Sequence, residues 1–535
     1  MIESDGKTIG EVFDEAAARW PEAAFLIAPA PDGGAPRILS YAEAARAVAR
    51  HAAALAAAGY GHGDRAALLM GNRPEFFLLK LAMSRLGISL VPVNPDYRAG
   101  EVAYLIDDSG VDLLLTEAAR RDLMEAGLAE AAGSPPLAIF EEMEAGLPRK
   151  TGVRREAGPP APATEASLIY TSGTTGRPKG CVISHEAELM YGAAYLLIPA
   201  PVGLREAGER VLNPLPLFHV NAGILSFHAV MLSGNAQIIP ERFSGSTWWR
   251  DIAATKSTVF HYLGVIISVL MTDKSAGKAE AASLRAAIGA GVEPALHGAF
   301  EARFGLPLIE VWGMTEMCRI IAIAEEPRMI DTRAVGRARP DLECRIVDQE
   351  GRDAAPGEPG ELALRHSAAT PRKGFFSGYL NKPEATEEAW LGGWFHTGDT
   401  MSMDESGTIF FIDRAKNIIR RAGENIAAAE VENCLFEDER VAAVACVAAP
   451  DEIREEEVLA CVVLAEGVAA DAATARALFD HAFARLAYFK PPGWVRFMAA
   501  LPVTGTQKVL KHKIFPEGAD PRDGAFDFRA LKKRG

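Results

Sequence analysis

The chain has 535 residues, of which 49% are hydrophobic and 24% are charged. This length and apolar content predict a folded protein with more than one domain and exclude disorder as its main state. Acidic residues outnumber basic ones by 71 to 56, and the net charge of −15 argues against a nucleic-acid-binding surface, which needs a basic excess.

Two helices are predicted at the start of the chain. Thr8 and Glu11 have the spacing of a capping box, and apolar residues recur after them at helical spacing. Ser40 and Glu43 repeat this pattern and predict an alanine-rich helix that ends near Gly59.

Strands and helices alternate in the next part of the chain. Strands predicted over 66–70 and 89–93 flank a helix predicted over 74–86, which is the order of a βαβ unit. The proline-rich segment 149–165 predicts a surface connection, and a further strand is predicted over 167–170. Repeated βαβ units imply a mostly parallel sheet with helices on both faces.

The last third of the chain has a different pattern. Short β segments separated by turns over 335–411 predict a smaller, partly closed β layer. From about residue 417 a βαβ-like pattern returns, with helices predicted over 429–436 and 472–486. The chain is thus predicted to end in a separate, smaller unit.

Cysteine usage and apolar runs predict a soluble, cytoplasmic protein. The six cysteines are scattered and form no CxxC pair, which is typical of reduced thiols in a cytosolic chain. The N-terminal residues are polar and acidic, unlike a signal peptide. The apolar run 190–203 is too short to span a bilayer, so no membrane span is predicted.

The most informative motif follows the strand predicted over 167–170. It reads Thr171-Ser-Gly-Thr-Thr-Gly-Arg-Pro-Lys-Gly180, with glycines, hydroxyl side chains and two basic residues. Glycines let backbone N–H groups turn toward a polyanion, and the hydroxyls add further donors, so the composition predicts a phosphate-binding loop. It is not a Walker A loop, because Lys179 is followed by Gly180 rather than Ser or Thr.

This string resembles the signature of the adenylate-forming superfamily, which contains acyl-CoA synthetases, adenylation domains and firefly-type luciferases. Further motifs extend the resemblance over nearly the whole chain and lie in the family's order. They are Trp312-Gly-Met-Thr-Glu316, Thr397-Gly-Asp399, Asp413-Arg-Ala-Lys416, Arg421-Ala-Gly-Glu-Asn-Ile426 and Pro502-Val-Thr-Gly-Thr-Gln-Lys508. Among the members of this superfamily, the motifs are most similar to those of carnitine/crotonobetaine-CoA ligase-like and medium-chain acyl-CoA synthetases.

The resemblance implies an α/β fold. A large N-terminal domain would contain two doubly wound α/β subdomains and a distorted β-barrel, and a small, mobile α+β domain would follow. The expected boundaries are an AMP-binding domain over 1–412, a hinge over 413–416 and a C-terminal domain over 417–535.

The implied activity is that of an AMP-forming carboxylate–CoA ligase, with ATP, Mg²⁺ and coenzyme A as its cofactors and a small carboxylic acid as its substrate. A carboxylate would attack the α-phosphorus of ATP, and the thiol of coenzyme A would then displace AMP from the acyl-adenylate. A homodimer is compatible with the family.

Alternatives remain open at this stage. A stand-alone adenylation enzyme would load a carrier protein, but it would typically keep an aspartate near 218–223, which this chain lacks. A nucleotide-binding regulator without catalysis would not need a second lysine motif at the C-terminus. A luciferase-like oxygenase is a third alternative.

Site residues are carried over from the resemblance motif by motif. The catalytic set is Lys508, which would bridge the two reacting anions, the hinge residue Lys416, His219 and the Mg²⁺ ligand Glu316. The ATP-binding set is Thr171, Ser172, Gly173, Thr174, Thr175, Lys179, Gly291, Glu310, Trp312, Gly313, Thr315, Asp399 and Arg414. Coenzyme A would contact Arg420, Gly423 and Glu424.

The substrate pocket is expected to contain His219, Val220, Asn221, Gly289, Ala290 and Arg319. A buried arginine needs an anionic partner, so Arg319 would bind either a second charge on the acid or a protein carboxylate such as Glu325 or Glu326. His261 and two other histidines, His185 and His228, lack a motif context and are interpreted as structural.

Overall fold

The structure is a computed structural model. It describes residues 1–151, 156–171, 177–200, 202–348, 350–414, 418–502, 509, 511–516 and 518–533.

The first part of the chain forms most of one sheet and the helices that cover it. Both predicted capping boxes are present, with Thr8 and Ser40 accepting from the backbone at Glu11 and Glu43. The elements are α1 (Ile9–Arg19), β1 (Ala24–Ala28), β2 (Arg37–Ser40), α2 (Tyr41–Ala57), β3 (Arg65–Leu69), α3 (Pro74–Leu86), β4 (Ser89–Pro92), α4 (Ala99–Ser109), β5 (Leu113–Thr116), α5 (Arg121–Glu130) and β6 (Leu137–Ile139).

The middle of the chain forms a second run of alternating strands and helices. One turn of π-helix, Asn221–Ser226, precedes α7. The elements are β7 (Glu165–Thr171), β8 (Lys179–Ser184), α6 (His185–Leu196), β9 (Arg210–Leu212), α7 (Phe227–Ser233), β10 (Ala236–Ile238), α8 (Trp248–Thr255), β11 (Val259–Leu263), α9 (Gly264–Thr272), β12 (Ala286–Ala290), α10 (Pro294–Phe304) and β13 (Leu308–Trp312).

The predicted β layer follows, and after it the smaller C-terminal unit. The layer contains β14 (Ile321–Ala322), β15 (Ala334–Arg337), β16 (Glu343–Val347), β17 (Gly360–Arg365), β18 (Gly378–Tyr379), α11 (Pro383–Ala389), β19 (Phe395–Met403) and β20 (Thr408–Arg414). The C-terminal unit contains β21 (Ile418–Arg421), β22 (Glu424–Ala427), α12 (Ala428–Phe436), β23 (Val441–Asp451), β24 (Glu455–Leu464), α13 (Ala472–Arg485), β25 (Trp494–Phe497) and β26 (Phe526–Asp527).

Two large sheets form the N-terminal part. One has the order β18-β8-β7-β4-β3-β5-β6, and its pairs from β7 to β6 are parallel. The other has the order β16-β17-β19-β20-β15-β14-β13-β12-β11-β9-β10-β1-β2. Its strands from β13 to β1 pair in parallel, whereas the strands of the β layer other than β18 continue it in antiparallel pairs. The mixed α/β architecture expected from the sequence is confirmed.

The C-terminal unit has its own sheet and core. Its strands form a sheet of order β22-β21-β24-β25-β26, with β23 paired to β24. A cluster that includes Val431, Val458, Leu478 and Phe479 is fully buried beneath α12 and α13. A large N-terminal part followed by a smaller C-terminal one is therefore confirmed. None of the described helices combines the length and the apolar character that a membrane crossing requires.

Candidate active site

A cavity of about 300 Å³ lies where the two large sheets and the C-terminal unit meet. Loops after β7, β12 and β13 contribute to its wall, in agreement with the rule that ligands bind beyond the carboxyl ends of parallel strands. Residues predicted for the site that line it are Thr171, Lys179, His219, Val220, Asn221, Ala290, Gly313, Thr315, Glu316, Asp399, Arg420 and Gly423.

Other predicted residues lie elsewhere or are not described. Those next to the cavity, rather than in its wall, are Gly289, Gly291, Glu310, Trp312, Arg319 and Glu424. Those outside the described residues are Ser172, Gly173, Thr174, Thr175, Lys416 and Lys508, together with the side chain of Arg414.

The carboxylate of Glu316 is fixed by a tyrosine that the sequence analysis did not identify. Glu316 lies just after β13 and is 6% exposed, and the Oη of Tyr379 donates to its Oε1 at 2.9 Å. Burial, and then the nearby carboxylate, raises the pKa of Tyr379 well above its ordinary value, so the hydroxyl keeps its proton. The Nζ of Lys179 lies 5.0 Å from the center of the same ring. Tyr379 therefore connects the phosphate-binding loop to Glu316.

Trp312 supports Asp399 rather than lining the cavity. Its indole Nε1 donates to Oδ2 of Asp399 at 2.9 Å, and both residues are less than 8% exposed. The backbone N–H of Asp399 donates to Thr397 Oγ1 at 3.1 Å. Trp312 was predicted to belong to the ATP-binding residues, and its contact in the structure positions Asp399.

Glu310 has a similar supporting position behind the loop after β12. Its carboxylate accepts from the Tyr262 hydroxyl at 2.6 Å and from the backbone N–H of Gly291 at 2.8 Å. Burial raises the pKa of Glu310 above its ordinary value. These contacts fix the backbone that carries Ala290 into the cavity wall.

The loop that carries His219 is held by close backbone packing. Asn72 binds both Leu215 and Leu217 through its side-chain amide, at 2.9 and 3.1 Å. A Cβ atom at Gly223 would overlap the carbonyl oxygen of Leu217, so only glycine allows this approach. His219 is thereby directed toward the cavity at the start of the π-helical turn.

The C-terminal unit reaches the same cavity through the hairpin β21–β22. Its two-residue turn consists of Ala422 and Gly423, with φ of 48° and 89°, which matches the positive φ values of a type I′ turn. Glu424 then lies 3.3 Å from His219, measured from Oε2 to Nε2. A Cβ at Gly423 would overlap Leu263, which lines the cavity. The hairpin is therefore closely fitted to the N-terminal part.

A buried lysine joins the two parts of the chain nearby. Lys490 lies between Glu101 of α4 and Glu430 of α12, at 2.5 and 2.7 Å. The two carboxylates outweigh the effect of burial and raise the pKa of Lys490, so it remains charged.

Arg319 does not line the cavity. Its Nε donates to Asp341 at 2.9 Å and its Nη2 to the carbonyl of Lys373 at 3.1 Å, while the guanidinium lies over Phe375. The residue is 2% exposed. Its anionic partner is thus a protein carboxylate, and this partner is Asp341 rather than Glu325 or Glu326.

Known proteins are similar to this chain over nearly its whole length. Residues 13–380 match the AMP-binding enzyme family, and residues 430–508 match the AMP-binding enzyme C-terminal domain. Sulfoacetate–CoA ligase of Cupriavidus necator is 30% identical over 95% of this chain and 99% of its own length. Crotonobetaine/carnitine–CoA ligase of Salmonella arizonae is 29% identical over the same shares.

Solved structures of a related enzyme are also similar to this chain. A double mutant of o-succinylbenzoate CoA synthetase from Bacillus subtilis, bound to its product analogue OSB-NCoA, is 26% identical and has a TM-score of 0.82, covering 94% of this chain and 98% of its own. The same enzyme in complex with AMP has a TM-score of 0.66, covering 94% and 97%.

The chain therefore belongs to the AMP-binding enzyme family, and it is an ATP-dependent carboxylate–CoA ligase of the AMP-forming acyl-CoA synthetase type.

Proposed function

We propose that this one cavity carries out both half-reactions of the ligase, on a short carboxylic acid. The observation that supports this most is that the nucleotide motifs and the tip of the C-terminal hairpin line the same space of about 300 Å³. In the first half-reaction the carboxylate attacks the α-phosphorus of ATP, and pyrophosphate leaves. In the second, the thiol of coenzyme A attacks the acyl carbon, and AMP leaves.

The nucleotide would be bound by residues from both sheets. Thr171 and Lys179 flank the phosphate-binding loop, and Asp399 is a short, fixed acceptor suited to the ribose hydroxyls. Lys179 brings positive charge to the phosphates. Glu310 and Gly291 would set the backbone beside the adenine.

Glu316 fits the expected Mg²⁺ ligand. Magnesium is commonly held by one or two carboxylates together with substrate phosphates. The described residues contain no cluster of three or more potential ligands, which agrees with an ion that depends on the nucleotide. Tyr379 binds only one oxygen of Glu316 and would leave the other for the metal. The ion would neutralise charge on the phosphates.

The first half-reaction needs a cation between two anions, and we assign this role to Lys508. Electrostatic stabilisation of this kind is the main contribution that a protein can make to such a step. We place the N-terminal domain over 1–412, the hinge at 413–416 with Lys416 as its pivot, and the C-terminal domain over 417–535. Rotation about the hinge would exchange Lys508 for the β21–β22 hairpin.

The second half-reaction is the one for which the described arrangement is suited. Gly423 lies against Leu263, which lines the cavity, and Arg420 lies close to Gly291. Glu424 binds His219 here and so fixes the histidine at the edge of the acyl site. We therefore assign Arg420, Gly423 and Glu424 to binding of coenzyme A.

The experiment is a pyrophosphate-release assay with the purified full-length chain, ATP, Mg²⁺ and a panel of short carboxylic acids. Product formation is then compared between coenzyme A and a pantetheinylated carrier protein. We expect pyrophosphate release with some acids and thioester formation with free coenzyme A. Glu316→Gln should remove pyrophosphate release. Glu350→Gln changes an exposed glutamate further along the chain and serves as the matched control. If none of the acids in the panel leads to pyrophosphate release, the proposal is refuted. If the acyl group is transferred only to the carrier protein, the second half of the proposal is refuted.

Two further predictions from the sequence belong to this proposal. We propose a cytoplasmic location and a homodimer as the assembly. Light scattering after size-exclusion chromatography tests the second of these, since a monomer at micromolar concentration would contradict it.

A further inference from the structure

The acyl end of the cavity contains a side-chain amide whose orientation is determined by its neighbours. Asn221 is the first residue of the π-helical turn and lines the cavity. Its Oδ1 lies 2.9 Å from Nδ2 of Asn213 and 2.8 Å from Nδ1 of His261. An amide has one acceptor oxygen and one donor nitrogen, so the direction in which it points decides what the cavity offers to a substrate.

A backbone N–H determines this direction. The N–H of Leu215 lies 3.1 Å from Oδ1 of Asn213, and a backbone N–H can only donate. Asn213 must therefore turn its Nδ2 away from Leu215 and toward Asn221. Because that group is a donor, Asn221 must present its oxygen to it.

His261 is consistent with the same orientation. Its Nδ1 meets the Asn221 oxygen and must carry the proton, while its Nε2 accepts from the Tyr195 hydroxyl at 3.0 Å. Burial lowers the pKa of His261 to about 3, so the ring stays neutral and keeps this tautomer. The oxygen of Asn221 thus has two donors, and its Nδ2 has no hydrogen-bond partner among the described residues.

Four further residues that line the cavity with Asn221 carry no charge. They are Leu225, Val311, Ile320 and Tyr191, and the hydroxyl of Tyr191 donates to the carbonyl of Met314 at 3.0 Å. Arg319, a buried cation next to Ile320 in the sequence, does not line the cavity and is paired with Asp341. An acid with a second full charge would find no opposite charge on these four side chains.

We propose that Asn221 determines specificity by donating a hydrogen bond from Nδ2 to a neutral oxygen on the acyl chain. The inference rests on the proposed function and names its substrate class: short carboxylic acids that carry a carbonyl, ether or hydroxyl oxygen and no second charge. His261 and Asn213 act as positioning residues. An acid without the oxygen would cover the amide N–H without pairing it, which disfavours binding.

The test uses pairs of acids that differ in one oxygen and have nearly the same shape. Methoxyacetate is compared with butanoate, and 4-oxopentanoate with 4-methylpent-4-enoate, by kcat/KM for pyrophosphate release. We expect the wild-type enzyme to favour the oxygen-containing acid about 10-fold in at least one pair. Sulfoacetate and carnitine are included as acids with a second charge, and we expect both to be poorer substrates than methoxyacetate.

Variants then assign the preference to the amide. Asn221→Leu should bring the ratio within each pair close to 1. Asn221→Asp keeps an oxygen for Asn213 and His261 but has no donor, so it should also remove the preference. This second variant keeps the inference testable if Asn221→Leu does not fold. Leu225→Val is the matched control, because it changes the same wall and should alter both acids of a pair alike. Melting temperatures of the variants are measured in parallel.

Two outcomes overturn the inference. The first is a wild-type ratio near 1 in both pairs, or a preference for sulfoacetate or carnitine. The second is a ratio that survives in both Asn221 variants. These outcomes differ from failure of the proposed function, in which no acid of the panel releases pyrophosphate.

Discussion

The fit of the β21–β22 hairpin makes Gly423→Ala the sharpest test of the described arrangement. The alanine would have to adopt the φ of 89° that Gly423 has, which costs an L-residue roughly 1–2 kcal/mol. It would also overlap Leu263, and pushing that side chain off its rotamer costs about 1 kcal/mol. The sum, about 2–3 kcal/mol, corresponds to roughly 30- to 150-fold in the population of the hairpin-inserted arrangement.

The half-reactions are measured separately for this variant. Adenylate formation is followed by ATP–pyrophosphate exchange, and thioester formation by adding coenzyme A to a supplied acyl-adenylate. We expect the rate of thioester formation to fall by this factor of roughly 30 to 150. The rate of adenylate formation should change little, because the proposed rotation withdraws the hairpin during the first half-reaction.

Two further variants separate strain from overlap. Ala422→Gly is the matched control, since it relieves the positive φ of the neighbouring turn residue and should leave thioester formation intact. Adding Leu263→Ala to Gly423→Ala should recover the part of the loss that is due to overlap. Equal loss in both half-reactions, or no recovery in the double variant, would refute the reasoning.

Four further predictions follow from individual contacts. Trp312→Phe removes a donor from the buried carboxylate of Asp399 and should raise KM for ATP roughly 10-fold, whereas an unchanged KM would leave the contact without a role in nucleotide binding. Lys508→Ala should abolish pyrophosphate exchange and spare thioester formation from a supplied adenylate; equal loss of both would contradict its assignment. Arg319→Leu should lower the free energy of unfolding by about 2 kcal/mol, seen in urea titration, and should reduce activity alike for mono- and dicarboxylates. Because burial lowers the pKa of His261 to about 3, stability should fall as the pH drops from about 6.5 toward 3, while the ratio between paired acids stays constant from about pH 5 to 8.

Local signals explain how much of the fold could be predicted. The helix predicted over 74–86 has these bounds in the structure, because Pro74 favours a helix start and Gly87 adopts the left-handed conformation at its end. Both capping boxes depend on residues three apart, so they can be read without tertiary information. The continuation of the second sheet into the β layer could not be read in this way, since it depends on pairing between distant strands such as β15 and β20.

Site residues that belong to a sequence motif could be predicted. Site residues whose role depends on tertiary contacts could not. Glu316 and Asp399 were predicted from their motifs and line the cavity. Tyr379 was missed because only the antiparallel pairing of its strand with β8 brings it to Glu316. The role of Trp312 depends on a neighbour 87 positions later in the chain, which no local pattern reveals.

The π-helical turn at Asn221–Ser226 has a consequence for how such a site could change over generations. A π turn holds one residue more than an α turn, so deleting a single codon there would restore ordinary helical spacing. Each residue of an α-helix turns the chain by about 100°, and the residues before the deletion would rotate by that angle relative to the core helix α7. An insertion or deletion, rather than a substitution, would then exchange the side chain that faces the acyl group while leaving the sheets and the nucleotide contacts in place.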